Sequence, residues 1–172
     1  MKTSTNLNLN SIIGNTPLVE ITFLYKGEKR TLYAKYETFN MTGSIKDRMA
    51  YYIIRKSYAD GYYIIRKSYA DGVLKQGDEI VEATSGNTGI AFAAIGAALG
   101  HKVKIFMPDW MSEERKALIS SFGANIQLVS KEEGGFVGSI AMAEKYAEEN
   151  ENVFLPRQFE NLYNAEAHYA AT

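Results

Sequence analysis

A lysine in the first turn of a helix has no reason to be there unless something other than the helix needs it. Asn40-Met-Thr-Gly-Ser-Ile-Lys-Asp-Arg48 is a small polar turn that runs into a predicted helix, with Lys46 in its first turn. Helix N-termini carry unpaired N–H groups and partial positive charge, so a cation gains nothing from the dipole. One reading is a solvated surface lysine. The other is an amine held beside an electrophilic cofactor, where nearby positive charge and desolvation favour the neutral amine that forms a Schiff base. A second stretch bears on that choice. Thr84-Ser-Gly-Asn-Thr-Gly89 lies between a predicted strand, Glu79 to Ala83, and a predicted helix, Ile90 to Leu99. Hydroxyls, a carboxamide and free N–H groups at a helix start suit a carboxylate or a phosphate. The stretch lacks the G-x-G-x-x-G of a dinucleotide site and the Gly-Lys-Ser/Thr of a P-loop. For Thr84 and Ser85 taken alone, N-capping explains the residue types equally well.

The elements that must position these residues follow from pattern and punctuation. Pro17 to Ile21 reads as extended, Lys26-Gly-Glu28 as a turn, and the alternating Thr31 to Tyr36 as a strand. From Glu79 onward the pattern is β-α-β-α. Strands are predicted at Val103 to Met107, Asn125 to Val129 and Val153 to Leu155. Helices are predicted at Glu113 to Phe122, with Ser112 as N-cap and Gly123 as stop, and at Phe136 to Glu149. Such alternation predicts a parallel α/β sheet with ligands at the carboxyl ends of its strands, and the Thr84–Gly89 loop lies at one such end. Gly134-Gly-Phe-Val-Gly138 reads as a loop leading into a helix rather than as a phosphate cradle.

One feature interrupts the pattern. Tyr51 to Gly61 is repeated without change as Tyr62 to Gly72. A single pair of units is not a solenoid, which needs several copies to bury a continuous face. It reads as a recent tandem duplication or a deliberate insertion. Each unit is an amphipathic helix with a glycine stop; in the first, Ala50, Ile53, Ile54 and Tyr58 share a face and Gly61 stands at C′. A glycine inside a helix costs about 1 kcal/mol relative to alanine, which argues against one continuous helix. We expect the first copy to hold the helical position, because it continues directly from Lys46, and the second to be expelled before Val73. Burial of Ile64 and Ile65, with Ile53 and Ile54 exposed, would overturn that.

Composition narrows the class. The 172 residues carry a net charge of −1 with both signs interspersed, so nothing suggests nucleic acid. No apolar run reaches 18 residues, which gives no membrane span, and the N-terminus lacks the apolar core of a signal peptide. Zero cysteines exclude disulfides and thiolate zinc sites, and a cytoplasmic protein is the default expectation. His101 and His168 are the only histidines, have no metal-ligand spacing with acidic residues, and read as structural or exposed.

Lysine turn and Thr84–Gly89 loop together resemble the fold-type II family of pyridoxal phosphate enzymes, and within it the cysteine synthases, or O-acetylserine sulfhydrylases. Ile12-Ile-Gly-Asn-Thr-Pro-Leu-Val19 is similar to that family's opening motif, and Pro108-Asp-Trp-Met-Ser-Glu-Glu-Arg-Lys116 and Gln158-Phe-Glu-Asn161 to later landmarks. The resemblance implies a three-layer α/β fold of the tryptophan synthase β-like type, incomplete at the C-terminus. Residues 1–40 would belong to a larger domain, 41–158 to a smaller substrate-loop domain, and 159–172 to the return. Lys46 would hold pyridoxal 5′-phosphate and act as general base, and Asn87 would bond the cofactor's ring hydroxyl. Thr84, Ser85, Gly86, Asn87 and Thr88 would wrap the substrate carboxylate, helped by Gln158. The implied reaction replaces the acetate of O-acetylserine with sulfide to give cysteine. A homodimer and a serine acetyltransferase partner are implied for the complete protein. The family continues for a similar length beyond Thr172, with its phosphate loop in that part, so we expect weak cofactor retention and negligible activity from these residues alone. Threonine dehydratases usually carry histidine where this chain has Thr88. Alternatives are a cystathionine β-synthase-like replacement, a non-catalytic module that binds the acetyltransferase tail, and a fragment made deliberately to test the duplicated helix.

Overall fold

The computed structural model describes residues 8–59 and 74–172. Two sheets form. The first is a hairpin of β1 (Leu18–Tyr25) and β2 (Glu28–Lys35), paired from Leu18 with Lys35 to Tyr25 with Glu28. Its two-residue turn, Lys26-Gly27, has φ of 51° and 81°, which is the type I′ geometry that matches strand twist.

The second sheet is parallel, with strand order β5-β4-β3-β6, formed by β3 (Glu79–Ala83), β4 (Val103–Pro108), β5 (Asn125–Val129) and β6 (Val153–Phe154). Side chains alternate across a strand, and here the alternation sorts two cores. Ile80, Ile105 and Met107 pack on one face with Phe92, Ile95 and Ile119, while Val81 and Phe106 pack on the other with Ala143 and Leu155. The first face is covered by α1 (Lys46–Ala59), α2 (Asn87–Ala98), α3 (Glu113–Ser121) and α5 (Leu162–Ala171), and the second by α4 (Gly135–Glu149). The parallel sheet is the one that the alternation predicts, and the three layers are those that the family resemblance implies.

Helix α2 is apolar all round, with Ile90 to Ile95 all buried, as a helix enclosed between the sheet and α1 must be. It lies close enough to the sheet that a Cβ on Gly96 would come within 2.5 Å of Val103 Cγ2. It begins at Asn87, three residues before the predicted start, because apolar periodicity cannot register Asn-Thr-Gly. Its N-cap is Gly86, and no side chain caps it, so the capping explanation of Thr84 and Ser85 fails. Ser112 does stand at the N-cap of α3, but its side chain caps no backbone N–H; it bonds the Glu114 carboxylate instead.

Helix α1 contains the first copy of the duplicated unit, with Met49, Ala50, Ile53 and Ile54 fully buried and Tyr58 packed against them. The second copy, together with Gly61 and Val73, lies outside the described residues. Helix α5 had no sequence signature beyond Asn161, whose side-chain oxygen accepts from the Tyr163 N–H at 3.0 Å. Among the described residues no helix is long and apolar enough to cross a membrane.

Candidate active site

At the carboxyl end of β3 the chain opens a cleft of about 310 Å³. Lys46 comes to it from the start of α1, and Thr84, Ser85, Gly86, Asn87 and Thr88 from the β3–α2 turn. Gln158 comes from the segment after β6. All seven residues singled out in the sequence line this one space. Arg115, Phe136 and Phe159 complete the lining.

The turn is built as an anion cradle. Helical bonding in α2 starts with the Ile90 N–H on the Gly86 carbonyl at 3.3 Å. The N–H groups of Asn87, Thr88 and Gly89 therefore have no intrahelical acceptor, and the positive end of the helix dipole points out of the same turn. The Gly86 N–H is turned back onto Thr84 Oγ1 at 3.4 Å, which closes the loop.

Gln158 is buried, and its orientation is determined by its partners. A carbonyl only accepts, so the side-chain nitrogen is the atom facing the Ala83 oxygen at 3.3 Å, and the side-chain oxygen accepts from the Thr88 hydroxyl at 2.8 Å. One N–H of the carboxamide remains for a ligand. The Thr88 hydroxyl proton does not, because it is committed to Gln158. Thr88 can therefore offer a ligand its backbone N–H, and its hydroxyl serves Gln158. Beneath this pair lies Glu82, also buried, whose carboxyl accepts from the N–H of Gln158 at 3.3 Å and of Ala83 at 3.1 Å. Burial pushes Glu82 up to about 8, against the opposing pull of those two N–H groups.

The lysine turn is held from several sides. The Lys46 N–H donates to Ser44 Oγ at 3.2 Å, and the Thr42 N–H and hydroxyl both donate to the buried Asp47 carboxylate. Arg48 makes two bonds to Glu37, through Nε at 2.7 Å and Nη2 at 2.9 Å. Thr16 and Asn40 donate to the same carboxylate at 2.6 and 2.7 Å, and the Gly14 N–H donates to Asn40 at 2.8 Å. Arg48 above all, with Thr16 and Asn40, holds Glu37 down at about 2. Thus the Ile12–Val19 motif and the lysine motif meet through one buried arginine. Lys46 itself has no carboxylate partner among the described residues, and its side chain borders the cleft. An amine placed this way fits an aldehyde cofactor, and Asn87 is on hand for a polar group on its ring.

Sequence reasoning missed three lining residues. Phe136 and Phe159 meet edge to face at 5.9 Å and 85°. Arg115 lies across Gly86, where an added Cβ would come within 3.7 Å of its Nε. Arg115 and Phe159 stand inside the two landmark stretches, and Phe136 follows the glycines at the carboxyl end of β5, so position relative to strand ends was the available signal. His101 and His168 stand outside the cleft. His101 is buried, donates from Nδ1 to the Asp78 carbonyl at 2.8 Å, and accepts from the Tyr58 hydroxyl at Nε2. His168 faces Thr172 Oγ1 at 3.1 Å. No group of three His, Cys, Asp or Glu side chains could hold a metal ion among the described residues.

Comparison with known proteins bears on the family and the fold. Over 165 residues the chain is 40% identical to a probable cysteine synthase of Bacillus subtilis, an alignment covering 96% of this chain and 49% of that protein. Among solved structures, a hydrogen sulfide-producing enzyme from Fusobacterium nucleatum superposes with a TM-score of 0.86 at 55% identity, covering 95% of this chain and 46% of that one. A cysteine synthase from Entamoeba histolytica superposes with a TM-score of 0.79 at 36% identity, covering 98% and 48%. The chain therefore spans about half the length of the proteins it matches. The family model for pyridoxal-phosphate dependent enzymes matches residues 9–172, and with the lysine, the cradle and the three-layer fold already in place, this chain belongs to that family.

Proposed function

We propose that this chain supplies the amine and carboxylate half of a site for β-replacement on a small amino acid, with O-acetylserine and sulfide as substrates and cysteine and acetate as products. The observation that carries the reading is the meeting of Lys46, the start of α2 at Asn87 and Thr88, and Gln158 in one cleft. The turn and the spare N–H of Gln158 bind the substrate carboxylate, and this orients the α-carbon toward Lys46. Lys46 holds the cofactor through its amine, takes the α-proton when the amine is released, and returns a proton to the α-carbon after sulfide has bonded to the β-carbon. Acetate leaves with the electron pair of the broken C–O bond, so charge and atoms balance. Pyridoxal phosphate, when bound, supplies the electron sink, with Asn87 beside its ring hydroxyl.

Residues 1–40 and 159–172 belong to a larger domain in this reading and 41–158 to a smaller one. The complete protein is a cytoplasmic homodimer, and its cleft takes the C-terminal tail of a serine acetyltransferase. A second reading runs the chemistry toward elimination from cysteine with release of sulfide. It is favoured by the 55% identity to a hydrogen sulfide-producing enzyme. A cystathionine β-synthase-like reaction differs from both in using homocysteine.

The first test is the absorbance of the chain with excess pyridoxal phosphate, before and after borohydride. We expect a cofactor band that borohydride fixes to Lys46 and that Lys46→Ala lacks. The same fixed band in Lys46→Ala would sink the assignment. On a full-length form, O-acetylserine with sulfide, O-acetylserine with homocysteine, or cysteine alone then separates the three reactions by product.

A further inference from the structure

The cleft has a buried acid beneath it that does not itself line the cleft. Glu82 is the penultimate residue of β3, two positions before Thr84, and is buried. Its two carboxyl oxygens receive the N–H of Ala83, in its own strand, and the N–H of Gln158, 76 residues later. Ala83 in turn receives the Gln158 side chain through its carbonyl. Glu82 and Ala83 together therefore grip Gln158 by backbone and side chain, and Thr88 holds the far end of the carboxamide. Among the described residues these are the bonds that fix Gln158 to the sheet. The charged and titratable groups around Glu82 are Glu144 of α4 and Arg157 and Glu160 of the segment after β6, which share with it a small pocket of about 80 Å³. On the cleft side stand Lys46 and Arg115.

We propose that Glu82 is a positioning residue that sets the Gln158 carboxamide for a carboxylate-bearing substrate and, through its own charge, governs how tightly that carboxylate is held. The proposal rests on reading the cleft as a carboxylate site. The geometric part follows from the grip just described: without an acceptor at Glu82, the Gln158 N–H is buried unpaired and the segment moves to satisfy it. The electrostatic part follows from burial. Glu82 stays largely neutral below about 8, and above it a buried negative charge lies behind the cradle and opposes a second carboxylate. Glu160 and Glu144 add to that opposition, and Arg157 offsets part of it.

Two measurements on the full chain test this, with propionate as the probe because it does not titrate between pH 6.5 and 9.5. The first needs no ligand and no variant. The side-chain amide resonances of Gln158 are expected to shift with a midpoint near 8. Resonances that stay flat over this range would overturn the coupling. The second is propionate affinity against pH. In the wild-type chain it falls above the midpoint by up to ~tenfold per pH unit, the limit for one proton. In Glu82→Gln, which is neutral throughout and keeps an acceptor oxygen, it stays near the wild-type value at pH 7 and loses that limb. A limb of the same midpoint in both forms would belong to another group and would refute the role of Glu82. If propionate binds neither form at any pH, the carboxylate reading of the cleft falls, while the amide titration still decides the coupling between Glu82 and Gln158.

Discussion

Gln158 and Thr88 show why a residue's type is an incomplete guide to its work. Both were legible as substrate ligands from their motifs, and both line the cleft, but the hydroxyl of Thr88 is spent on Gln158. Thr88→Val should leave the cradle N–H groups in place and release the carboxamide. In a full-length form we expect KM for the amino acid to rise about tenfold with kcat little changed, since one hydrogen bond of about 1–1.5 kcal/mol is lost; an equal fall in kcat would place the hydroxyl in the chemistry instead. Arg115 was not legible as a lining residue, because an exposed helix arginine carries no local mark of what it lies across. Glu37 was not legible either, although it organises the lysine turn. Its pKa is depressed from 4.5 to about 2, so it stabilises the fold above pH 4.5 and loses that contribution as pH falls toward 2. The contribution is on the order of 2–3 kcal/mol. Urea titrations should show Glu37→Gln weaker by that order at pH 7 and indistinguishable from wild type near pH 2.

Strands and helices were read well wherever the signal was a change of period. Strands β3 and β5 fall where alternation placed them, and α1 buries Ile53 and Ile54 as the first-copy reading requires. The failures have local causes. The start of α2 is polar because it must bind something, and α5 is short and only weakly patterned. The loop leading into α4 illustrates a constraint that sequence shows only as a glycine. A Cβ on Gly138 would lie 2.0 Å from the Glu133 carbonyl oxygen, a backbone atom that cannot step aside without moving the turn. That turn carries Phe136 into the cleft. Gly138→Ala should cost more than about 2 kcal/mol in chemical denaturation, beyond any gain from better helix propensity. A neutral or stabilised variant would mean that the loop repacks freely.

At the scale of the whole molecule, the β1–β2 hairpin stands apart from the packed core. Leu24 is 77% exposed and Tyr33 64%, and Phe39 beyond the hairpin is also 64% exposed. So much apolar surface on one small ribbon favours association. Sedimentation should show mass rising with concentration, and Leu24→Lys with Tyr33→Lys should suppress it; a concentration-independent monomer in both would show the ribbon to be inert. Composition alone does not show this surface, since it reads as that of an ordinary globular chain. The bond from Arg48 to the Ala171 carbonyl ties the lysine turn to a residue 123 positions later. During synthesis at ~5–20 residues per second, that partner is added about 6–25 s after the arginine. The sheet can form while the chain is still growing, but the turn that aims Lys46 stays without its last anchor until translation has passed α5. A nascent chain would thus hold its reactive amine loosely until almost the entire segment had been made.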